Sequence, residues 1–386
     1  MHRIYSAIFG SGLGHVTRVH EIAKRLPDCS FEYSSFDEAY DYLLKYNEKV
    51  FYAPSVAVRW NLAGGVSGSG TLIGAPRSFA TFLDQVNFER KKISRFNPRV
   101  VLSDSRLSAV IAGKSLFYPV ITILNQIRIL FPPRFRKGVF SSFLERLEAD
   151  ILGLYWSLSN EILVPDLPPP FTISEANVSR VSVSNRIHYT GFMTPKLDIP
   201  DERLAKVRSS LALDSRPIVF VQISGPNKTK DSFLGPALES SSYLARKYNV
   251  IISKGFPSGS TTPIKLANGA WVYDWCPVKD ELFQLSKVLV ARSGHNTLSQ
   301  CINAAKPSVV VPIFNHSEQI WNAKKFAKLG LGIEIRSESL TAKKLEISVE
   351  TCLEDSSYQN SMEKLKQISS KFEGIETAAN IVRGFL

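Results

Sequence analysis

The feature that most limits what this chain can fold into is a repeated three-part unit: a short β-prone run, a glycine-bearing or polar loop, then apolar residues at helical spacing. Residues 3–9, RIYSAIF, lead into GSGLGH and then into Val16, Val19, Ile22, Ala23 and Leu26, which share one face of a helix with 3.6 residues per turn. The unit recurs as RVVLSD followed by SRLSAVIAGKSL, with PVITILN after it. Alternating strand and helix predicts an α/β fold around a mostly parallel sheet. In such a sheet ligands bind outside the carboxyl ends of the strands.

Length multiplies this unit. A chain of 386 residues with 44% hydrophobic and 21% charged residues has an ordinary globular composition and is long for one domain, so two are expected. Around residues 190–216 the sequence turns polar and proline-bearing, which reads as a linker. The alternation then resumes with PIVFVQI, the loop SGPNKTKDS containing Gly225, a helix to about Tyr248, and the strands NVIIS, WVYDW and KVLVA. SVVVP and the helix SEQIWNAKKFAKLG, closed by Gly330, complete the set, and the tail from about Thr341 reads as helical. The expected domains are 1–195 and 196–368, with 369–386 as a terminal helix.

Charge and cysteines narrow the setting. Cys29, Cys276, Cys301 and Cys352 stand far apart, without the spacing of a disulfide framework or a zinc cluster, so a reducing compartment is expected. No signal peptide and no run of roughly 20 apolar residues is legible, which predicts a soluble, cytoplasmic protein. A net charge of +12 and a pI near 9.4 favour polyanions: nucleic acid, an anionic membrane surface or phosphorylated ligands. Helix-turn-helix, zinc-finger and aromatic RNA-binding signatures are absent from the sequence, so nucleic acid is not expected as a partner.

The loops carry the chemistry. In VARSGHNTLSQCINAAKPSVVVP, residues 290–312, RSG reads as a turn needing glycine's freedom, and HNTLSQCINAA as a helix capped by Ser, Asn or Thr. Arg292, Ser293, Gly294, His295, Asn296 and Thr297 then offer backbone N–H groups, a helix N-terminus and a cation to a phosphate or diphosphate. The plainer alternative is a capped helix with solvated polar residues. His316, Glu318, Gln319 and Asn322 follow SVVVP at a second strand-to-helix junction. Trp275 and Pro277 mark a further strand end where an aromatic face could take a base, unless Trp275 is simply a buried structural residue.

These three segments, in this order, resemble the C-terminal domain of nucleotide-sugar glycosyltransferases of the GT-B fold. The similarity is to the UDP-glycosyltransferase signature and to the peptidoglycan enzyme that adds GlcNAc to a lipid carrier. The resemblance implies two Rossmann-like domains facing each other across a cleft, with a C-terminal helix returning to the N-terminal domain. It implies that Trp275 stacks on uracil, that Ser293 to Thr297 hold the diphosphate, and that Glu318 with Gln319 binds the sugar hydroxyls, followed by Asn322 and Ala323. Gln300 stands where the family has a ribose-binding Glu, and Arg292 where it has a phosphate-binding His. Gly12, Gly14 and Gly225 join the donor-binding set. Gly12, Gly14, His15 and Arg18 match the family's Gly-x-Gly-His string with its following Arg, and in inverting members that His is the general base.

An imidazole is neutral often enough at pH 7 for that role. Asp104, at the end of VVLSD, is either its orienting carboxylate or a helix N-cap. Arg18, Asn125 and Gln126 are the acceptor-side candidates. Two glutamates eight positions apart, usual in retaining relatives, are missing, so inversion is expected, without a metal or other cofactor. The alternatives are a UDP-sugar 2-epimerase, for which the carboxylates and histidines are too few, and a non-catalytic sugar-nucleotide-binding protein, suggested by Gln300. Residues 125–171 interleave Arg and Lys with bulky apolar residues, which reads either as a peripheral contact with an anionic membrane, and hence a lipid acceptor, or as an amphipathic core helix with solvated basic residues plus a mobile loop. The glycines of residues 61–78 mark a loop that reads as a lid or a plain connection.

Overall fold

The structure is a computed structural model that describes residues 1–55, 75–128, 130, 139–178 and 186–386. It forms two compact units, one taking in the described residues up to Pro195 and returning for Phe372–Leu386, the other spanning Lys196–Lys371. Each unit is built on a seven-stranded sheet.

In the first sheet the strands are β1 (His2–Ile8), β2 (Cys29–Ser35), β3 (Val50–Tyr52), β4 (Val100–Asp104), β5 (Val120–Ile123), β6 (Glu161–Val164) and β7 (Ile187–Tyr189). All pair in parallel in the order β3-β2-β1-β4-β5-β6-β7. Both faces of this sheet are covered, which is why β1 reads as a continuous apolar run. Ile4 and Ile8 pack with Val16, Val19 and Ile22 on one face; Tyr5 and Ala7 pack with Ile93, Val101 and Val110 on the other. The strand order reverses at β1, so the connections from β1 and β4 diverge and leave a crevice outside their carboxyl ends.

The terminal helix Gly374–Arg383 lies in this unit, with Ala378, Ala379 and Val382 in the core beside Val16 and Val19. It approaches so closely that a Cβ on Gly374 would meet the Phe192 carbonyl oxygen at 2.5 Å.

The second sheet contains β8 (Ile218–Gln222), β9 (Asn249–Ser253), β10 (Ile264–Lys265), β11 (Trp271–Tyr273), β12 (Val288–Ala291), β13 (Ser308–Val310) and β14 (Gly332–Glu334). Their order is β10-β11-β9-β8-β12-β13-β14, parallel except for the edge strand β10. Here the reversal falls between β8 and β12. The stretch read as linker holds a helix, Asp201–Ser210, with Asp201 and Glu202 in its first turn and Val207 buried. The helix after β8 ends at Leu244 rather than near Tyr248. The tail resolves into helices Ala342–Glu354, Ser356–Ser369 and Gly374–Arg383, the first capped by the Thr341 side chain.

Candidate active site

At the β1/β4 crevice the chain leaves β1 through Phe9 and Gly10, and Gly12, with φ 82, opens the helix Leu13–Lys24. A bulky residue resists that φ; glycine does not. No side chain caps this helix, and because it begins at Leu13, His15 sits in its first turn rather than in the loop. Asp104 ends β4 opposite Ile8. His15 Nδ1 lies 2.7 Å from Asp104 Oδ1. Arg18, one turn beyond His15, donates from Nε to Asp104 Oδ2 at 2.5 Å and from Nη2 to Oδ1 at 2.5 Å.

Asp104 is fully buried and Arg18 is 2% exposed, while His15 keeps 22% of its side-chain surface open. Burial alone would push the Asp104 carboxyl up, but the Arg18 charge and the hydrogen bonds from His15 and Arg18 outweigh it and hold the group below the ordinary carboxylate range. Nδ1 also lies 3.1 Å from Arg18 Nη2, but the carboxylate at 2.7 Å is nearer and only accepts; the shorter contact assigns the proton to Nδ1 and leaves Nε2 as the acceptor nitrogen. The Phe9 ring meets the imidazole edge-on at 5.4 Å.

Two expectations change here. Asp104 is the partner of His15 and not a helix cap: the helix Leu107–Ser115 starts after Arg106 without a side-chain cap. Arg18 is not presented to an acceptor, because its guanidinium is consumed by Asp104. Asn125 and Gln126 follow β5, the strand next to β4, where the Ser105 N–H donates to the Ile123 carbonyl at 3.1 Å. Asn125 is buried and Gln126 half-buried.

In the second unit the loops after β8, β12 and β13 meet at the reversal. Gly294 is the N-cap of helix His295–Asn303, with φ −65 and no side-chain cap bond. The helix is thus not closed by Ser, Asn or Thr, and the turn does not need glycine's left-handed freedom. A Cβ at Gly294 would find only Gln319 Nε2, at 3.9 Å. What glycine supplies there is open space in front of N–H groups, the requirement for an anion at a helix N-terminus.

Ser293 Oγ donates to the Gln319 carbonyl at 2.8 Å, Gln319 Oε1 accepts from the Ile313 N–H at 2.9 Å, and Asn322 Nδ2 donates to the Ser293 carbonyl at 3.4 Å. These bonds bring Ser293, Gly294 and Gln319 together. His316 caps the helix Ser317–Lys328, its Nδ1 accepting from the Gln319 N–H; burial pushes its imidazole down, toward that neutral acceptor form. Glu318 lies in the first turn of that helix. Asn296, Thr297 and Gln300 are half-buried on helix His295–Asn303 and His295 is buried at its start.

Arg292 departs from its expected place. It is 2% exposed and points inward, donating to the carbonyls of Thr229 at 2.7 Å, Pro312 at 3.1 Å and Val311 at 3.3 Å, with its guanidinium 4.8 Å over the Phe233 ring. Burial lowers it to about 10. It cross-braces the three loops from beneath instead of reaching a ligand. Sequence reading missed its partner, the turn Asn227–Thr229; the Ser-Gly-Pro-Asn string after β8 was the available signal. Gly225, with φ 103, makes that turn. Trp275 comes to the same carboxyl edge, half-buried, but β11 lies three strand positions from β12, about 14 Å at the usual strand spacing.

Comparison with known proteins agrees with this architecture. Residues 233–378 match the glycosyltransferase family 28 C-terminal domain. An uncharacterized glycosyltransferase of Methanosarcina mazei is 24% identical over 398 residues, covering 96% of this chain and 95% of that protein. The UDP-N-acetylglucosamine--N-acetylmuramyl-(pentapeptide) pyrophosphoryl-undecaprenol N-acetylglucosamine transferase of Streptococcus gordonii is 30% identical over 203 residues, covering 50% of this chain and 55% of that enzyme. The solved structure of MurG from Acinetobacter baumannii superposes with a TM-score of 0.62 at 14% identity, over 100% of both chains. The chain is a glycosyltransferase of the GT-B fold, with a family 28 C-terminal domain in its second half.

Proposed function

We propose that this glycosyltransferase moves a hexose, with inversion, from a UDP-linked sugar to a hydroxyl of a lipid or glycan acceptor, with His15 as general base. The observation that carries the reading is the His15–Asp104 pair, 2.7 Å apart at a sheet crevice. Asp104 holds the proton on Nδ1 and so presents Nε2 to the acceptor. As the acceptor oxygen attacks the anomeric carbon, its proton passes to Nε2. The bond from that carbon to the β-phosphate oxygen breaks, and the nucleoside diphosphate leaves with the electron pair. The ionised Asp104 stabilises the imidazolium so formed.

The donor's diphosphate binds at the Gly294 helix N-terminus, where N–H groups and the helix dipole take up the charge developing on the leaving group. Trp275 takes the base, and Glu318 with Gln319 the sugar hydroxyls. The similarity to a streptococcal enzyme whose name gives a UDP-N-acetylglucosamine donor and a pyrophosphoryl-undecaprenol acceptor supports a UDP-sugar and a lipid-linked acceptor.

Among the described residues no helix is long and apolar enough to cross a membrane. Helix Val139–Trp156 and the residues after it nevertheless expose Phe143, Leu147, Ile151, Leu154 and Leu158, a stripe at helical spacing that supports peripheral contact with the cytoplasmic face of a membrane. Parts of the basic-apolar segment, residues 129 and 131–138, and residues 61–74 of the glycine-rich loop lie outside the described residues.

The deciding experiment is His15→Ala. UDP should bind as in the wild type, by calorimetry, while hexose transfer from UDP-N-acetylglucosamine falls by roughly 100-fold or more. Undiminished transfer would remove His15 from its role.

A further inference from the structure

A second buried ion pair stands behind the His15–Asp104 dyad, at the same strand ends but on the opposite face of the first sheet. Glu89, on helix Ala75–Phe96, is fully buried. Its carboxylate accepts the Tyr5 hydroxyl at 2.6 Å, Ser34 Oγ at 2.9 and 3.0 Å, and Arg106 Nη2 at 2.5 Å. One group thus collects donors from β1, β2 and the turn after β4.

Arg106 transmits the constraint to the dyad. It is separated from Asp104 only by Ser105, whose φ of 56 sends the two side chains to opposite faces. Arg106 Nη1 donates to the carbonyl of Ile8, the last residue of β1, at 3.1 Å, and its guanidinium lies 5.3 Å from the Phe36 ring centre. Phe36 meets Phe9 edge-on at 5.5 Å, and Phe9 meets His15 at 5.4 Å. The Arg106 carbonyl is fixed as well, by Ser103 Oγ at 2.8 Å.

The ladder bonds of β1 and β4 already hold the sheet, and a buried ion pair adds little stability over an apolar replacement of similar volume. What it adds at this place is register: a slip of about 0.5 Å between the ends of β1 and β4 would take His15 and Asp104 out of good hydrogen-bond geometry. We infer that Glu89, acting through Arg106, is a positioning residue for the His15–Asp104 dyad. This rests on the reading of His15 as the base; Glu89 itself touches no substrate.

The test uses the full chain and three readouts: the low-field proton resonance of His15 Nδ1–H, assigned by its loss in His15→Ala; hydrolysis of UDP-N-acetylglucosamine with water as acceptor; and UDP affinity. Glu89→Gln should shift or broaden the resonance and slow hydrolysis by roughly 10-fold or more, with UDP affinity within twofold. A folded Glu89→Gln protein with resonance and hydrolysis both unchanged overturns the inference. If Glu89→Gln does not fold, Tyr5→Phe removes one donor without stranding a charge, and the same two readouts decide, an unchanged resonance and rate again overturning it. If His15→Ala hydrolyses the donor as the wild type does, the base reading falls, and the resonance alone decides whether Glu89 positions the pair.

Discussion

Replacing Asp104 by Asn strands a cation. Arg18 is 2% exposed and its guanidinium lies 2.5 Å from Asp104, so the variant leaves a buried charge without its carboxylate. Breaking a buried pair from one side costs about 3–5 kcal/mol, and an effective dielectric near 20 gives a figure of the same order, about 5.5 kcal/mol, for two charges roughly 3 Å apart. Arg18→Met, the reciprocal change, leaves Asp104 buried with only His15 to offset it. In the double variant neither charge remains, so its loss should fall short of the sum of the single losses by at least about 2 kcal/mol.

The appropriate assay is hydrogen exchange of the β1 and β4 amides, which reports the stability of this unit by itself. The pH dependence carries its own sign. The Asp104 carboxyl is held below the value of about 3.9 expected for an unfolded chain. Its stabilisation is therefore complete above that pH and is lost as pH falls toward the lower, folded value. The gap between wild type and Asp104→Asn should close as pH falls below about 4, where Asp104 takes up its proton. Losses that add to within about 0.5 kcal/mol, or a gap that grows as pH falls below about 4, would refute the reasoning.

Two further outcomes are expected. Gly294→Ala should leave stability within about 1 kcal/mol, since φ is −65 and the new Cβ meets nothing closer than 3.9 Å, yet weaken UDP binding by roughly 10-fold because the methyl group occupies the approach to the helix N-terminus; calorimetry reads both. On vesicles containing anionic lipid, the wild-type chain should co-sediment, and Leu147→Glu with Leu154→Glu, on residues 46% and 67% exposed, should release it with the fold intact.

Much of the fold is written locally. The strand-loop-helix alternation needs only the periods of a strand and a helix, and it placed β1, β4, β5, β8, β12 and β13 where the structure has them. His15 and Asp104, 89 positions apart, are legible through the resemblance to the glycosyltransferase Gly-x-Gly-His string and its partner Asp, and each stands at the carboxyl edge of a parallel sheet, where ligand-facing residues collect. The helix Asp201–Ser210 was hidden by its polarity: with one buried residue it has almost no apolar stripe to read.

The destinations of the charged side chains belong to the tertiary structure. Arg18 and Arg292 look in sequence like ligands for a substrate, and Gly294 like a residue kept for its φ. Folding turns Arg18 onto a carboxylate 86 positions away and Arg292 onto carbonyls from two other loops, and it leaves Gly294 in an ordinary conformation beside Gln319. The physical reason is range. Periodicity and turn preference act over a few residues and are set by the chain itself, whereas a buried charge takes whichever partner the strand order brings to it.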